Sequence, residues 1–181
     1  MRTRVSYAGG AKAHPTYHSL GDHTESFRIE YDPALLRYDD LLGMYWEGHR
    51  PTHPGWSRQY RSVIFYQDEE QRQAAEASKA RIEAELGKAL YVDIEPAREF
   101  WSAEDYHQKY YLRGERRLMA EFEAMYPDDD AFVDSTAAAR CNGYVSGYGD
   151  PRREIDLLGL TEEGREIVLK RAGRRSRFTC A

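Results

Sequence analysis

Residues 62–94, SVIFYQDEEQRQAAEASKARIEAELGKALYVDI, read as strand, helix, strand. Ser62-Val63-Ile64-Phe65-Tyr66 is a nearly continuous apolar run, the pattern of a strand buried on both faces. From 68 to 86 charged residues dominate, with Ala74, Ala75, Ala77 and Ile82 left to face a core. That is a long surface helix with a narrow apolar stripe. Residues 89–94 return to strand character. The fold class is therefore α/β over this part of the chain.

Upstream, residues 5–8 form a short strand running into the turn signal Gly9-Gly10. A loop covers 11–22. Phe27, Ile29 and Tyr31 alternate with polar residues, so 24–31 is a half-buried strand. Residues 39–47 are helical, with Leu41, Leu42, Tyr45 and Trp46 at helical spacing, and Pro51, Pro54 and Gly55 make 49–59 a loop. Downstream, a helix is expected over 102–111, capped by Ser102 or Trp101. Past Gly114 only helical patterns recur, at 116–125, 130–142, 152–158 and 162–172. Two parts are expected: an α/β domain over 1–113 and an all-helical C-terminal extension over 114–181.

Composition narrows the function classes. Hydrophobic residues at 41% and charged residues at 31% predict a soluble globular chain rather than a disordered one. No apolar run is long enough to span a membrane, and none precedes Gly9-Gly10, so neither a membrane anchor nor a secretory signal is expected and the cytoplasm is the default. The net charge of −5 argues against a nucleic-acid binder. The end of the chain is basic, with Arg165, Lys170, Arg171, Arg174, Arg175 and Arg177 against Glu166. It reads as a solvated tail, with electrostatic docking as the alternative. Two cysteines, Cys141 and Cys180, make neither a disulfide framework nor a Cys-x-x-Cys zinc site. His23 and His107 read as hydrogen-bonded structural groups, and no metal or other cofactor is expected. The 14 tyrosines supply many hydroxyl donors, of which a few can converge on a polar ligand.

Six strings carry a resemblance: Val5-Ser6-Tyr7-Ala8-Gly9-Gly10, His14-Pro15-Thr16-Tyr17, Asp22-His23-Thr24-Glu25, Tyr31-Asp32-Pro33, Gln59-Tyr60-Arg61-Ser62 and Ala103-Glu104-Asp105-Tyr106-His107-Gln108. In order and spacing, over roughly residues 3–112, the chain resembles the A-type peptide methionine sulfoxide reductases. The resemblance implies an α+β two-layer fold, a ferredoxin-like mixed sheet with helices. It implies reduction of methionine S-sulfoxide, in proteins or as the free amino acid, by a cysteine thiolate that thioredoxin or another thiol then restores. Residue by residue, Glu25 matches the family's buried acid, kept neutral to protonate the sulfoxide oxygen. Tyr17 and Tyr60 match its two hydroxyl donors. Beside these roles stand plainer ones: a solvated carboxylate at a strand start and two packing tyrosines.

The departures from the family pattern are as informative. Its nucleophile lies in a Gly-Cys-Phe-Trp string at the end of its first strand, and no such string occurs in residues 1–181. Met1 corresponds to a point after that strand and helix. The expectation is a chain inactive alone, with unpaired strand edges where the absent strand would lie. The family commonly carries an aspartate five residues before the second tyrosine, where this chain has Gly55 in a shorter loop. Asp22 is a candidate to replace its charge. Cys180, in a basic context, reads as a recycling thiol or a spectator. Cys141 reads as a small buried helix residue. A non-catalytic module that binds methionine sulfoxide, or an interaction module using the helical tail, are the other readings.

Overall fold

The computed structural model describes residues 1–172. Cys180 lies outside the described residues. The chain divides into two compact units. One comprises Val5–Phe27 and Tyr31–Ala103; the other comprises Met1–Arg4, Arg28–Glu30 and the described residues from Glu104 to Ala172.

The α/β unit is built from β1 (Arg2–Ala8, divided between the units after Arg4), β2 (Thr24–Glu30, divided after Phe27), α1 (Tyr38–Gly48), β3 (Ser62–Tyr66), α2 (Glu69–Leu86), β4 (Val92–Pro96) and β5 (Trp101–Ser102). Its strands form two small sheets. One has the order β2-β1-β5, with β5 antiparallel to β1 through Ser6–Ser102 and Tyr7–Trp101. The other pairs β3 with β4 in parallel, Ser62 opposite Val92 through Tyr66 opposite Pro96. The strand–helix–strand reading of 62–94 thus holds, with α2 as the crossover.

Two details differ from the sequence reading. β3 is not buried on both faces: only Ile64 is fully buried, and Val63 and Phe65 are half-buried. It has one strand neighbour among the described residues. In α2 the buried positions are Ala75, Ser78 and Ile82, whereas Ala77 is exposed. Ser78 reaches the core because its hydroxyl is satisfied twice: it accepts from Trp46 Nε1 at 3.0 Å and donates to the Ala75 carbonyl at 2.8 Å. Around this pair lie Leu42, Ile64, Leu90 and Val92. A smaller cluster, Tyr7, Leu20 and Ala103, supports Val5, Tyr17 and Trp101.

The expected helix over 102–111 is broken into pieces. Trp101 and Ser102 pair with β1 instead of capping a helix; a 3₁₀ turn follows at Asp105–His107, and α3 (Tyr110–Arg113) begins after Lys109. Lys109 has φ of 51°, the left-handed region, which stops helical continuity there.

The helical unit continues with α4 (Arg116–Met125), α5 (Asp129–Asp134), α6 (Thr136–Val145) and α7 (Glu162–Ala172). The single helix expected over 130–142 is two, because Ser135 is extended, and its hydroxyl accepts from Ala138 N at 2.9 Å to start α6. The pattern over 152–158 resolves into 3₁₀ turns, Pro151–Arg153 and Ile155–Leu158. Leu112, Leu118, Phe122, Phe132, Cys141, Leu158 and Val168 make the core. Cys141 is fully buried in α6, as its sequence context predicts.

The start of β1 is tied into this unit by charge. Arg4 donates to Asp134 at 2.7 Å and to Asp130 at 3.2 Å. Lys109 is buried, and its Nζ donates to the Thr3 carbonyl at 2.5 Å and to Thr3 Oγ1 at 2.9 Å.

Candidate functional site

The three residues singled out by the resemblance come together in the α/β unit. Tyr17 stands in the loop after β1, its ring packed on the Tyr7, Leu20 and Ala103 cluster. Tyr60 closes the loop before β3. Their hydroxyls lie 3.4 Å apart, a weak contact longer than the usual O–H···O bond. Glu25, at the start of β2, is joined to the Tyr60 loop twice. Its backbone N–H donates to the Gln59 carbonyl at 3.0 Å, and its Oε1 accepts from Gln59 Nε2 at 2.5 Å. The same Gln59 Nε2 donates to the Tyr60 hydroxyl at 3.1 Å.

Gln59 therefore bridges the carboxylate and the phenol. Nothing in the sequence marks Gln59 for a role, although it sits beside Tyr60 in the matching string. Glu25 is half-buried with a donor on its carboxylate, rather than enclosed by apolar walls. The Tyr60 hydroxyl is pushed up to about 12 by its bond to Tyr17, by partial burial and by the nearby Glu25 charge. It is a firm donor at neutral pH. Two phenol hydroxyls beside a carboxyl group form a cluster suited to holding a polarised oxygen.

The loops around this cluster are tightly determined. His23 is buried; its Nδ1 accepts from Gly10 N at 3.3 Å, and its Nε2 lies 2.8 Å from the Lys12 carbonyl, to which it donates in that tautomer. It is a structural histidine, as expected. Asp22 accepts from Ala11 N at 2.9 Å and from Lys12 N at 3.4 Å, and the Ala11 bond is the main cause of its lowered pKa. Its carboxylate is thus engaged by the 11–12 backbone. Arg58 reaches back to the Asp22 carbonyl at 2.7 Å. Arg61 holds Thr24 Oγ1 at 2.9 Å, Asp93 at 2.9 Å and Glu95 at 2.8 Å, so the strand entrances are fixed to one another.

At Gly55 a side chain would have no room. A Cβ there would lie 2.8 Å from the Tyr60 carbonyl and 2.9 Å from Arg61 Cα. The loop folds directly back on Tyr60, so no side chain, an aspartate included, can stand at this position without moving it. Trp56, which sequence reasoning also passed over, stacks on Tyr60 with ring centroids 4.7 Å apart and planes at 28°. A lone indole in a Pro- and Gly-containing loop was the available signal.

Comparison with known proteins agrees with this architecture. The family described as peptide methionine sulfoxide reductase matches residues 1–138. A peptide methionine sulfoxide reductase of Drosophila melanogaster is 38% identical over 172 residues, covering 92% of this chain and 68% of that protein. Peptide methionine sulfoxide reductase A5 of Oryza sativa subsp. japonica is 34% identical, covering 90% of this chain and 66% of that protein. The chain thus spans about two thirds of the length of each. Among solved structures, methionine sulfoxide reductase A of Corynebacterium diphtheriae superposes with a TM-score of 0.54 at 30% identity, over 62% of this chain and 63% of that one. The reduced form of Mxr1 from Saccharomyces cerevisiae has a TM-score of 0.59 at 23% identity, covering 63% and 71%, and shares the fold. The chain belongs to the peptide methionine sulfoxide reductase family, whose members are oxidoreductases.

Proposed function

We propose that this chain carries the sulfoxide-binding face of a peptide methionine-S-sulfoxide reductase, with the attacking thiol supplied from outside residues 1–181. The observation that carries the reading is the Tyr17–Tyr60 hydroxyl pair beside the Glu25–Gln59 contact, at positions where the family's motifs put its donors and acid. Tyr17 and Tyr60 donate to the sulfoxide oxygen. Glu25, in its protonated form, gives the proton that lets the S–O bond break. A thiolate attacks sulfur; the sulfoxide becomes the thioether, and the thiol becomes a sulfenic acid. A second thiol condenses with that sulfenic acid, releasing water, and a dithiol such as thioredoxin reduces the resulting disulfide. Cys180 is the candidate for that second thiol. Cys141 does not suit attack: burial pushes its thiol up to about 12. The substrates are methionine sulfoxide in oxidised proteins or peptides, or the free amino acid, and the role is protein repair under oxidative stress in the cytoplasm. Nucleic acid is not a partner in this reading.

A second reading follows from the burial of Cys141: a module that holds methyl sulfoxide without reducing it. Reduction of a methionine-S-sulfoxide peptide by the 181-residue chain with dithiothreitol tests whether the attacking thiol lies outside residues 1–181. Little turnover is expected from the chain alone. Turnover matching a full-length relative would instead put the nucleophile at Cys141 or Cys180, and single Cys→Ser variants would say which. Calorimetry with the same peptide tests the binding face itself. No heat and no shift in melting temperature at millimolar peptide would remove both readings.

A further inference from the structure

Trp56 is placed where folding alone gives it little to do. Its side chain is 83% exposed, although an indole is among the groups that gain most from burial. It is nonetheless held in place, stacked on the ring whose hydroxyl belongs to the Tyr17–Tyr60 pair. Tyr17 in turn meets the ring of His18 edge-on at 5.2 Å. Four rings, Trp56, Tyr60, Tyr17 and His18, run in series, and of these only Tyr17 is half-buried rather than exposed. The polar cluster with Glu25 and Gln59 sits along this aromatic strip.

We propose that Trp56 is a specificity-determining residue whose open indole face receives the apolar side chain next to methionine sulfoxide in a polypeptide, so that the site takes chain-bound in preference to free methionine sulfoxide. This rests on the sulfoxide-binding reading of Tyr17, Glu25 and Tyr60. A methyl sulfoxide held at the two hydroxyls needs only the hydroxyl end of Tyr60, which leaves the indole stacked on that ring with nothing to hold. One residue of extended chain advances about 3.3–3.6 Å. Trp56 and Tyr60 are 4.7 Å apart between ring centres, one to two such steps, so a polypeptide running along the aromatic strip lays a neighbouring side chain on the indole. Tryptophan offers a large, rigid contact with few rotamers to freeze, which is why it dominates binding hot spots. A free amino acid presents charged groups there in place of an apolar side chain, so it buries no apolar surface on the indole and is left with an exposed cation–π contact at most.

The test uses the 181-residue chain and two probes followed by NMR titration. One is a doubly blocked tripeptide with methionine S-sulfoxide between two leucines. The other is dimethyl sulfoxide, which has the methyl sulfoxide and no flank. Trp56→Ala is expected to weaken the tripeptide about five-fold, the scale of one aromatic contact. It should change dimethyl sulfoxide binding by less than about two-fold. Trp56→Phe should recover most of the loss. Equal weakening of both probes would overturn the proposal, since Trp56 would then only hold Tyr60 in place, and so would no weakening of either. The double variant Tyr17→Phe, Tyr60→Phe reports separately on the underlying reading and should weaken both probes. If it weakens neither, the sulfoxide site is wrong whatever Trp56 does. A wild-type chain that binds neither probe overturns both.

Discussion

Individual side chains in this protein are governed by what surrounds them more than by their own chemistry. Cys141 is a thiol by formula, but it is fully buried among Leu112, Leu118 and Phe122, and desolvation raises its pKa to about 12. In the native state at pH 8 it should resist iodoacetamide for hours and react completely in guanidinium, as peptide mass mapping would show. Equal labelling in both conditions would contradict its burial. Gly9 shows the reverse dependence, a residue required for what it lacks. Its φ is +77°, and a Cβ would stand 2.7 Å from Phe65 Cζ. Gly9→Ala should cost about 2–4 kcal/mol in a urea melt, combining the left-handed backbone with overpacking. The Gly9-Gly10 turn was legible in the sequence; the contact with Phe65 was not, because it joins residues 56 positions apart. The candidate site divides the same way. Tyr17, Glu25 and Tyr60 are proposed from their strings, and the fold makes them neighbours, whereas the contacts of Gln59 and Trp56 exist only once the 49–59 loop is folded.

Elements were most legible where one periodicity governs from end to end. The helices expected at 116–125 and 162–172 match α4 and α7, the strand at 62–66 matches β3, and the helix expected over 68–86 matches α2, with Asp68 as its cap. Reading failed where a single side chain redirects the backbone. Trp101 and Ser102 look like a helix entrance, yet they pair with β1, and the left-handed Lys109 delays α3. Ser135 interrupts an alanine-rich pattern that propensity alone would continue. It ends α5 and begins α6 at once, its hydroxyl accepting from Ala138 N. Ser135→Ala should therefore destabilise the protein by about 1 kcal/mol, the usual cost of an N-cap. Ser135→Asp should retain most of the stability. Thermal denaturation of the pair is the check, and a neutral alanine variant would mean that the break is held by packing instead.

At the scale of the whole molecule, stability is coupled to pH through Lys109. Burial, with Arg4 and Arg113 nearby, brings this lysine down to about 8 from 10.5, and Asp134 opposes the shift. Between those values the unfolded chain holds a proton that the native chain has released, so the Lys109 contribution makes stability rise with pH. Below about pH 8 the native fold carries the cost of a buried cation, at most about 3 kcal/mol. Urea melts of wild type and Lys109→Met across pH 7 to 10.5 isolate it: the difference should shift toward the wild type as pH rises, and a constant difference would refute it. The ties from Arg4 to Asp130 and Asp134, and from Lys109 to Thr3, also bear on how the protein is made. Arg4 and Asp134 are separated by 130 residues of chain. At about 5–20 residues per second, Arg4 leaves the ribosome on the order of ten seconds before its partner exists. For that interval β1 is a nascent segment without its anchor in the helical unit.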